Sequence, residues 1–179
     1  MRALAIGGVP ATGKTTLARE VIKLIKPTSK FKSELLRGYI KNDIAILGVY
    51  KKNDIFGGTD KLSMAVQSDY ENFVKLKKYH IFFEGDRLFT EKILLNLCEN
   101  YETRIIILEQ KEKELKLRHK KRNDTQSEKF LLSRKTKIEN IKRNGALGKR
   151  VEYYHLNEMT ETQNLAKTLA NYMLFSKSL

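Results

Sequence analysis

The chain of 179 residues is poor in several residue types that would mark particular classes of protein. Its single cysteine, Cys98, excludes an internal disulfide framework and a metal site built only from cysteines. Three histidines, far apart in the sequence, argue against a zinc centre. Two prolines and the lack of low-complexity segments argue against linkers and tails. The longest apolar stretch beyond the N-terminus, 44–50, is far shorter than the roughly 20 residues that span a bilayer, so we expect a cytoplasmic protein with no membrane partner.

The composition fits one folded domain with a basic surface. Apolar residues make up 41% of the chain, which is enough for a hydrophobic core. At about 150 residues per domain, residues 1–179 are predicted to form a single domain. The chain has 35 Lys+Arg and 21 Asp+Glu, which gives a net charge of +14. This excess favours a polyanionic partner or substrate without identifying it.

Residues 8–15, Gly-Val-Pro-Ala-Thr-Gly-Lys-Thr, fit the phosphate-loop pattern G-x-x-x-x-G-K-[ST]. The motif lies between an apolar segment at 3–6, suited to a buried strand, and an amphipathic helix predicted to end before Pro27. In this context backbone N–H groups and the helix N-terminus can surround a phosphate. Lys14 can contact the β- and γ-phosphates, and Thr15 can offer its hydroxyl to Mg²⁺. The residues expected to bind the nucleoside triphosphate are Gly8, Ala11, Thr12, Gly13, Lys14, Thr15 and Thr16.

Apolar segments with strand-like and helix-like spacing alternate along the chain. The predicted strands are 3–6, 38–40, 44–50, 80–83, 104–108 and 151–155. The helices predicted after the phosphate-loop helix are 61–78, about 90–101, 112–122, 128–143 and a C-terminal helix around 165–173. This alternation predicts an α/β fold with a mostly parallel sheet and helices on both faces.

A group of polar residues, Glu84-Gly85-Asp86-Arg87, directly follows the predicted strand 80–83. In α/β sheets ligands bind at the carboxyl ends of the strands. Asp86 could hold Mg²⁺ through water or accept a proton, and Glu84 is a candidate metal ligand beside Thr15. Arg87 could bind a phosphate with its planar guanidinium group. The alternative interpretation is a strand-to-helix turn with surface charges.

A second cluster, 56–63, contains Gly57-Gly58 followed by Asp60. The two glycines allow a ligand to approach the backbone closely. Asp60 is a candidate carboxylate of the acceptor site, and either Asp60 or Ser63 could instead be a plain helix N-cap.

A third cluster is the basic segment between Arg118 and Arg150. It contains twelve Lys+Arg residues and three acids, a net charge of +9. Arg118 and Arg122 are four residues apart and share a helix face, and Arg134 and Lys137 follow on the next predicted helix. Arginines placed over a phosphoryl group neutralise the charge that develops in its transition state. We therefore predict a helical lid at 112–149, with a solvated charged face as the alternative.

The three clusters, in this order, resemble those of the P-loop kinases of the nucleoside and nucleotide kinase type. The resemblance implies a P-loop kinase fold, ATP and Mg²⁺ as cofactors, and a lid that closes on ATP through Arg118, Arg122 and Arg134. It implies a strand-end acid at Glu84 or Asp86 and a substrate-phosphate arginine at Arg87.

Three short blocks resemble a narrower group. Residues 58–64, 84–88 and 122–126 look like segments of bacteriophage kinases, some of which phosphorylate hydroxymethyluracil within DNA. This likeness implies DNA as acceptor and, for a phage-encoded protein, the bacterial host cytoplasm as location.

We therefore expect an ATP-dependent kinase that transfers the γ-phosphoryl group to a hydroxyl, with a base in DNA slightly favoured as acceptor over a nucleotide or small molecule. Asp60, Asp86 and Glu84 are the candidates for the general base. The candidate catalytic residues are Lys14, Asp60, Asp86, Arg87, Arg118 and Arg122, and the candidate metal ligands are Thr15 and Glu84.

Other classes fit the sequence less well. Residues 54–57 spell the D-x-x-G of GTPases, but they follow polar residues and the chain has no N-K-x-D motif. Helicase-type motors need an Asp-Glu pair after the strand, whereas Gly85 follows Glu84 here. A nucleic-acid-stimulated NTPase and a noncatalytic nucleotide-binding module are the remaining alternatives.

Overall fold

A computed structural model describes residues 1–51, 54, 57–121 and 126–175. The strands are β1 (Arg2–Gly7), β2 (Ser29–Lys32), β3 (Arg37–Lys41), β4 (Ile44–Leu47), β5 (His80–Glu84), β6 (Glu102–Glu109) and β7 (Val151–His155). The helices are α1 (Lys14–Ile25), α2 (Val66–Lys75), α3 (Glu91–Asn100), α4 (Glu112–Lys121), α5 (Glu128–Arg143) and α6 (Met159–Leu174). Two 3₁₀ turns, Thr59–Lys61 and Gly148–Arg150, complete the regular structure of the described residues.

The seven strands form one sheet in the order β2-β3-β4-β5-β1-β6-β7. Strands β4, β5, β1, β6 and β7 are parallel, and β2 and β3 extend the sheet as antiparallel neighbours. Ile6 of β1 pairs with Glu84 of β5 on one side and with Ile106 of β6 on the other. Because the chain crosses from β5 over β1 to β6, the carboxyl end of β1 is a topological switch point, where α/β proteins bind their ligands.

Two apolar layers confirm the predicted helices on both faces of the sheet. Successive side chains of a strand point to opposite faces, so each buried strand contributes to both layers. Buried residues of α2, α3 and α5 pack on the face that contains Ala3, Ala5, Leu47, Ile81, Phe83, Ile105 and Ile107. Helices α1 and α6 pack on the face that contains Leu4, Ile6, Ile46, Phe82, Ile106 and Leu108. The α/β class with a mostly parallel sheet is therefore confirmed.

Two predicted elements are shorter in the structure. The strand predicted over 44–50 ends at Leu47 because Gly48 has a left-handed backbone, φ +114°, and redirects the chain. The helix predicted over 61–78 begins only at Val66 and ends at Lys75. It begins late because Leu62 is extended, with ψ 163°, after the 3₁₀ turn that carries Asp60.

Strand β2 was not predicted. Three of its four residues are exposed, and it has no period-2 apolar pattern because it is the edge strand of the sheet.

The helices of the basic segment are confirmed as α4 and α5 over their described residues. Helix α4 buries no side chain, whereas α5 buries Ile138 and Ile141. None of the helices in the described part of the chain is long and apolar enough to cross a membrane.

Candidate active site

The predicted phosphate loop joins the carboxyl end of β1 to the N-terminus of α1. Gly8, Ala11 and Gly13 have positive φ angles of +138°, +67° and +100°. When residues with positive φ angles lie between residues with negative φ angles, successive N–H groups point toward one concave side. This is the arrangement that binds anions. Ala11 is the one of these three residues that is not glycine. An L side chain in this conformation costs about 1–2 kcal/mol. Strain of this kind is typical of functional loops.

The side chains of the loop are already ordered around the carbonyl of Val9. Lys14 Nζ donates to that oxygen at 2.9 Å, and the hydroxyl of Thr12 donates to it at 3.0 Å. Lys14 is thus folded back over the loop. Thr12 is buried, and Thr16 is exposed in the first turn of α1.

The predicted metal ligands Thr15 and Glu84 are in direct contact. The Thr15 hydroxyl donates to Glu84 Oε1 at 3.0 Å, and Glu84 is only 1% exposed. Burial raises the pKa of the Glu84 carboxyl to about 8, Lys14 opposes this rise, and Asp60 adds to it. Among the described residues no three His, Cys, Asp or Glu side chains form a metal cage. A hydroxyl and a carboxylate beside a phosphate loop nevertheless fit Mg²⁺, which keeps waters and phosphate oxygens as most of its ligands.

The glycine-containing cluster packs directly against the end of β5. The Thr59 hydroxyl donates to the carbonyl oxygen of Glu84 at 3.0 Å. At Gly58, which has φ +68°, a Cβ atom would lie 2.5 Å from Glu84 Oε1, so the cluster requires glycine there. The close approach permitted by Gly58 is therefore to the protein's own carboxyl group.

Asp60 organises the turn that follows β5. Its Oδ1 accepts from the backbone N–H groups of Asp86 and Arg87, at 2.7 and 3.2 Å. The N-cap interpretation is wrong for Asp60, because these donors belong to another element. Ser63 accepts from Ala65 N at 3.2 Å, but Ala65, at the N-cap position of α2, has no side-chain cap.

Asp86 is ion-paired with helix α5. Its Oδ1 lies 2.9 Å from Lys137 Nζ, its Oδ2 contacts Arg134, and Lys137 also donates to the Asp86 carbonyl at 2.7 Å. The Arg134 guanidinium lies over the Phe130 ring, 4.6 Å from its centroid. These contacts connect the predicted lid to the strand-end acid. The sequence did not predict them.

The predicted arginines differ in their surroundings. The Nε atoms of Arg87 and Arg134 are buried and have no hydrogen-bond partner in the described parts of the chain. Arg118 donates to the carbonyls of Ala11 and Leu156, at 3.3 and 3.4 Å, so it connects the phosphate loop to the segment after β7. Arg122 lies outside the described residues, as does the greater part of the block 122–126.

One cavity of about 570 Å³ collects most of these groups. It is lined by Gly8, Pro10, Ala11, Gly13, Lys14, Thr15, Asp60, Lys61, Met64, Asp86, Arg87, Gln126, Phe130 and Arg134. Glu84 and Arg118 are not among the lining residues. Glu84 lies buried behind Thr15 and Gly58, and Arg118 contacts the loop through Ala11.

Sequence reasoning assigned no role to Phe130 or Tyr50, and it did not connect Lys137 with Asp86. Phe130 is an aromatic residue in the first turn of a highly charged helix, three residues after the N-cap Ser127, and this position was the available signal. The positions of Tyr50 and Lys137 depend on contacts between distant segments, which no local pattern encodes.

The chain matches no known protein-family model, and no curated protein is significantly similar to it. The functional assignment therefore depends on the site itself.

Proposed function

We propose that this protein is a P-loop kinase that transfers the γ-phosphoryl group of ATP to a hydroxyl of an acceptor, with Mg²⁺ as cofactor. The observation that carries the proposal is the 570 Å³ cavity. It combines a phosphate loop with two carboxylates and two arginines that approach from other elements. A noncatalytic nucleotide-binding module would need no such second set of groups.

The phosphate-loop side of the cavity fits the donor. Its N–H groups and the N-terminus of α1 would bind the phosphates, and Lys14 would exchange the Val9 carbonyl for phosphate oxygens. Thr15 and Glu84 would hold Mg²⁺, Thr15 by its hydroxyl and Glu84 through water. When bound, ATP would supply the phosphoryl group, and Mg²⁺ would supply positive charge that offsets the negative charge developing during transfer.

The carboxylates fit the acceptor side in different ways. Asp60 uses Oδ1 to accept two backbone N–H groups, and Oδ2 accepts no hydrogen bond from the described residues. An oxygen in this position can accept the proton of a hydroxyl. Asp86 has an ion pair on each oxygen, so it fits the role of holding Arg134 and Lys137 near the phosphates. We therefore propose Asp60 as the general base.

The acceptor is proposed to combine an apolar body with negative charge. Met64 is 80% exposed and Phe130 is 36% exposed, and both line the cavity. Lys61, Arg87 and Arg134 line it as well. A hydroxymethylated base within DNA and a nucleotide both have this character, and the net charge of +14 favours DNA. The nucleotide or small-molecule kinase is the second candidate, because the same cavity can hold a free nucleotide.

The test is to incubate the protein with Mg²⁺ and γ-labelled ATP in the presence of different acceptors. Normal DNA, hydroxymethylated DNA, mononucleotides and small alcohols are compared, with Lys14→Ala as the inactive control. Label in hydroxymethylated DNA alone is expected. Label in mononucleotides instead would favour the second candidate, and label released only as inorganic phosphate would favour an NTPase. Absence of Lys14-dependent label in any product would refute the kinase.

A further inference from the structure

Tyr50 lies at the rear of the candidate active site, and its backbone is anchored. It follows the turn at Gly48, next to the isolated bridge between Val49 and Gly58. The Tyr39 hydroxyl donates to the Tyr50 carbonyl at 3.2 Å and accepts from the Tyr50 N–H at 3.3 Å. The ring of Tyr50 therefore has a defined place relative to the sheet.

A second anchor connects the following residues to the phosphate-loop helix. Arg19 of α1 donates to the carbonyls of Lys51 and Asp54, at 3.0 and 2.5 Å. The segment that carries Tyr50 is thus fixed to β3 on one side and to α1 on the other.

The Tyr50 ring lies next to the glycines that contact the predicted metal ligands. A Cβ atom on Gly57 would lie 3.3 Å from Tyr50 Cδ1 and 3.0 Å from Thr15 Cγ2. A Cβ atom on Gly58 would lie 2.5 Å from Glu84 Oε1. The Tyr50 ring and the Thr15 methyl group thus lie beside Gly57, and the Glu84 carboxyl lies beside the next residue, Gly58.

The Tyr50 hydroxyl is a donor whose presence folding does not explain. Its oxygen is inaccessible to solvent and has no hydrogen-bond partner among the residues that the structure describes. Burial, and then the charge of Glu84, raise the pKa of the phenol well above its usual value, and the nearby backbone N–H of Glu84 opposes this rise in part, so the hydroxyl keeps its proton. A buried hydroxyl without a partner destabilises a protein, and phenylalanine would fill the same space without this penalty.

The Glu84 carboxyl can accept a hydrogen bond from such a donor, because the described residues use little of its acceptor capacity. It accepts one hydrogen bond from the described residues, from Thr15 to Oε1. Carboxylates that act at metal sites are normally oriented by further hydrogen bonds from residues around them, and losing such a partner weakens metal affinity or activity about 10–100-fold.

We propose that Tyr50 is a positioning residue of the magnesium site, whose hydroxyl donates to the Glu84 carboxylate when Mg²⁺ and nucleotide are bound. The inference rests on the proposed function, because it presupposes MgATP at the phosphate loop. It assigns the unpartnered hydroxyl a role in the bound state rather than in folding.

The test is Tyr50→Phe, with ATP binding measured by calorimetry over a series of Mg²⁺ concentrations. The Mg²⁺ concentration that gives half-maximal ATP affinity is expected to rise about tenfold or more. ATP binding in EDTA should not change. The melting temperature of the ligand-free variant should be equal to or higher than that of the wild type, because an unpartnered buried hydroxyl is lost.

Two matched tyrosine variants serve as controls. Tyr39→Phe removes the hydroxyl that anchors the Tyr50 backbone, so its melting temperature should fall. Tyr101→Phe removes a hydroxyl that donates to Val74 on the opposite side of the sheet from α1, and its Mg²⁺ dependence should equal that of the wild type.

The outcomes separate the inference from the proposed function. An unchanged Mg²⁺ dependence in Tyr50→Phe would overturn the role of Tyr50 alone, provided that the wild type binds MgATP. Equal weakening of ATP binding with and without Mg²⁺ would overturn it as well, because the hydroxyl would then act on the loop. A wild type that binds no nucleotide would overturn both.

Discussion

Replacing Glu84 by glutamine should change how the stability of the ligand-free protein depends on pH. Burial raises the pKa of this carboxyl to about 8, from an ordinary value of 4.5. Between these values the folded protein keeps a proton that the unfolded chain has lost. Its free energy of unfolding must therefore decrease as the pH rises through this interval.

The size of the effect follows from a single proton. One proton per molecule gives a slope of at most about 1.4 kcal/mol per pH unit. Glutamine has the shape of a protonated glutamate and does not titrate. The difference in free energy of unfolding, Glu84→Gln minus wild type, should therefore increase from about pH 5 to about pH 8 and stay constant at higher pH.

The assay is urea denaturation of both proteins, without nucleotide or Mg²⁺, at several pH values from about 5 to above 8. Glu152→Gln is the matched control. Glu152 accepts two hydrogen bonds from Arg104, at 2.6 and 2.7 Å, and its pKa is lowered chiefly by them. It is ionised in both states above about pH 5, so its variant should be less stable by a nearly constant amount. A constant difference for Glu84→Gln too would refute the reasoning about burial.

Three further predictions concern activity. Lys14→Ala should abolish phosphoryl transfer while circular dichroism shows a retained fold, because in the proposed function the lysine binds the β- and γ-phosphates; near wild-type turnover would contradict the phosphate-loop assignment. Asp60→Asn removes the proposed general base, so it should retain ATP binding and lower the turnover number about a hundredfold; Asp86→Asn should also retain ATP binding, and normal turnover of both variants would move the acid–base role to Glu84 or remove it. Exchange of four lysines of the predicted lid for glutamine should weaken DNA binding and flatten its salt dependence with little change in ATP affinity, and undetectable DNA binding at low salt would favour a free-nucleotide or small-molecule acceptor. The lysines to exchange are Lys120, Lys121, Lys129 and Lys135, and Lys137 is left in place because it pairs with Asp86.

The loop from Gly8 to Thr15 and the elements on either side of it could be predicted because their information is local. The spacing from Gly8 to Thr15 fixes the loop, and the apolar residues on either side fix its strand and helix. The contact between Thr15 and Glu84 could be expected as well, because two neighbouring parallel strands end side by side. The loop, its flanking elements and this contact all follow from the order of the elements along the chain and from the parallel pairing of the strands.

The contacts on the proposed acceptor side could not be predicted in the same way. Asp60 accepts from N–H groups that are 26 and 27 residues away, and Asp86 pairs with Lys137 at a separation of 51 residues. The sequence presented Asp60 as a plausible helix cap, and only the extended backbone at Leu62 shows why the helix does not begin there. Edge strand β2 escaped prediction for a related reason, since an exposed strand has no burial pattern to reveal it.

The different environments of Asp60 and Asp86 determine how their asparagine variants must be interpreted. In Asp60→Asn the new side chain keeps a carbonyl oxygen that can accept from the N–H groups of residues 86 and 87, so the turn after β5 should remain in place. What this substitution removes is the charge and the proton affinity of the second oxygen. A loss of turnover with unchanged affinity for ATP and acceptor would therefore report on proton transfer.

Asp86→Asn is a less direct test because it removes the partner of two cations. Arg134 and Lys137 each pair with one oxygen of Asp86, so the neutral amide weakens both contacts between α5 and the strand end. Leaving buried or half-buried cations without their partner is itself destabilising. The double variant Asp86→Asn with Lys137→Gln removes one of these cations together with the carboxylate. If the double variant recovers stability but not turnover, Asp86 contributes to the reaction; if it recovers both, the carboxylate serves only to hold α5 in place.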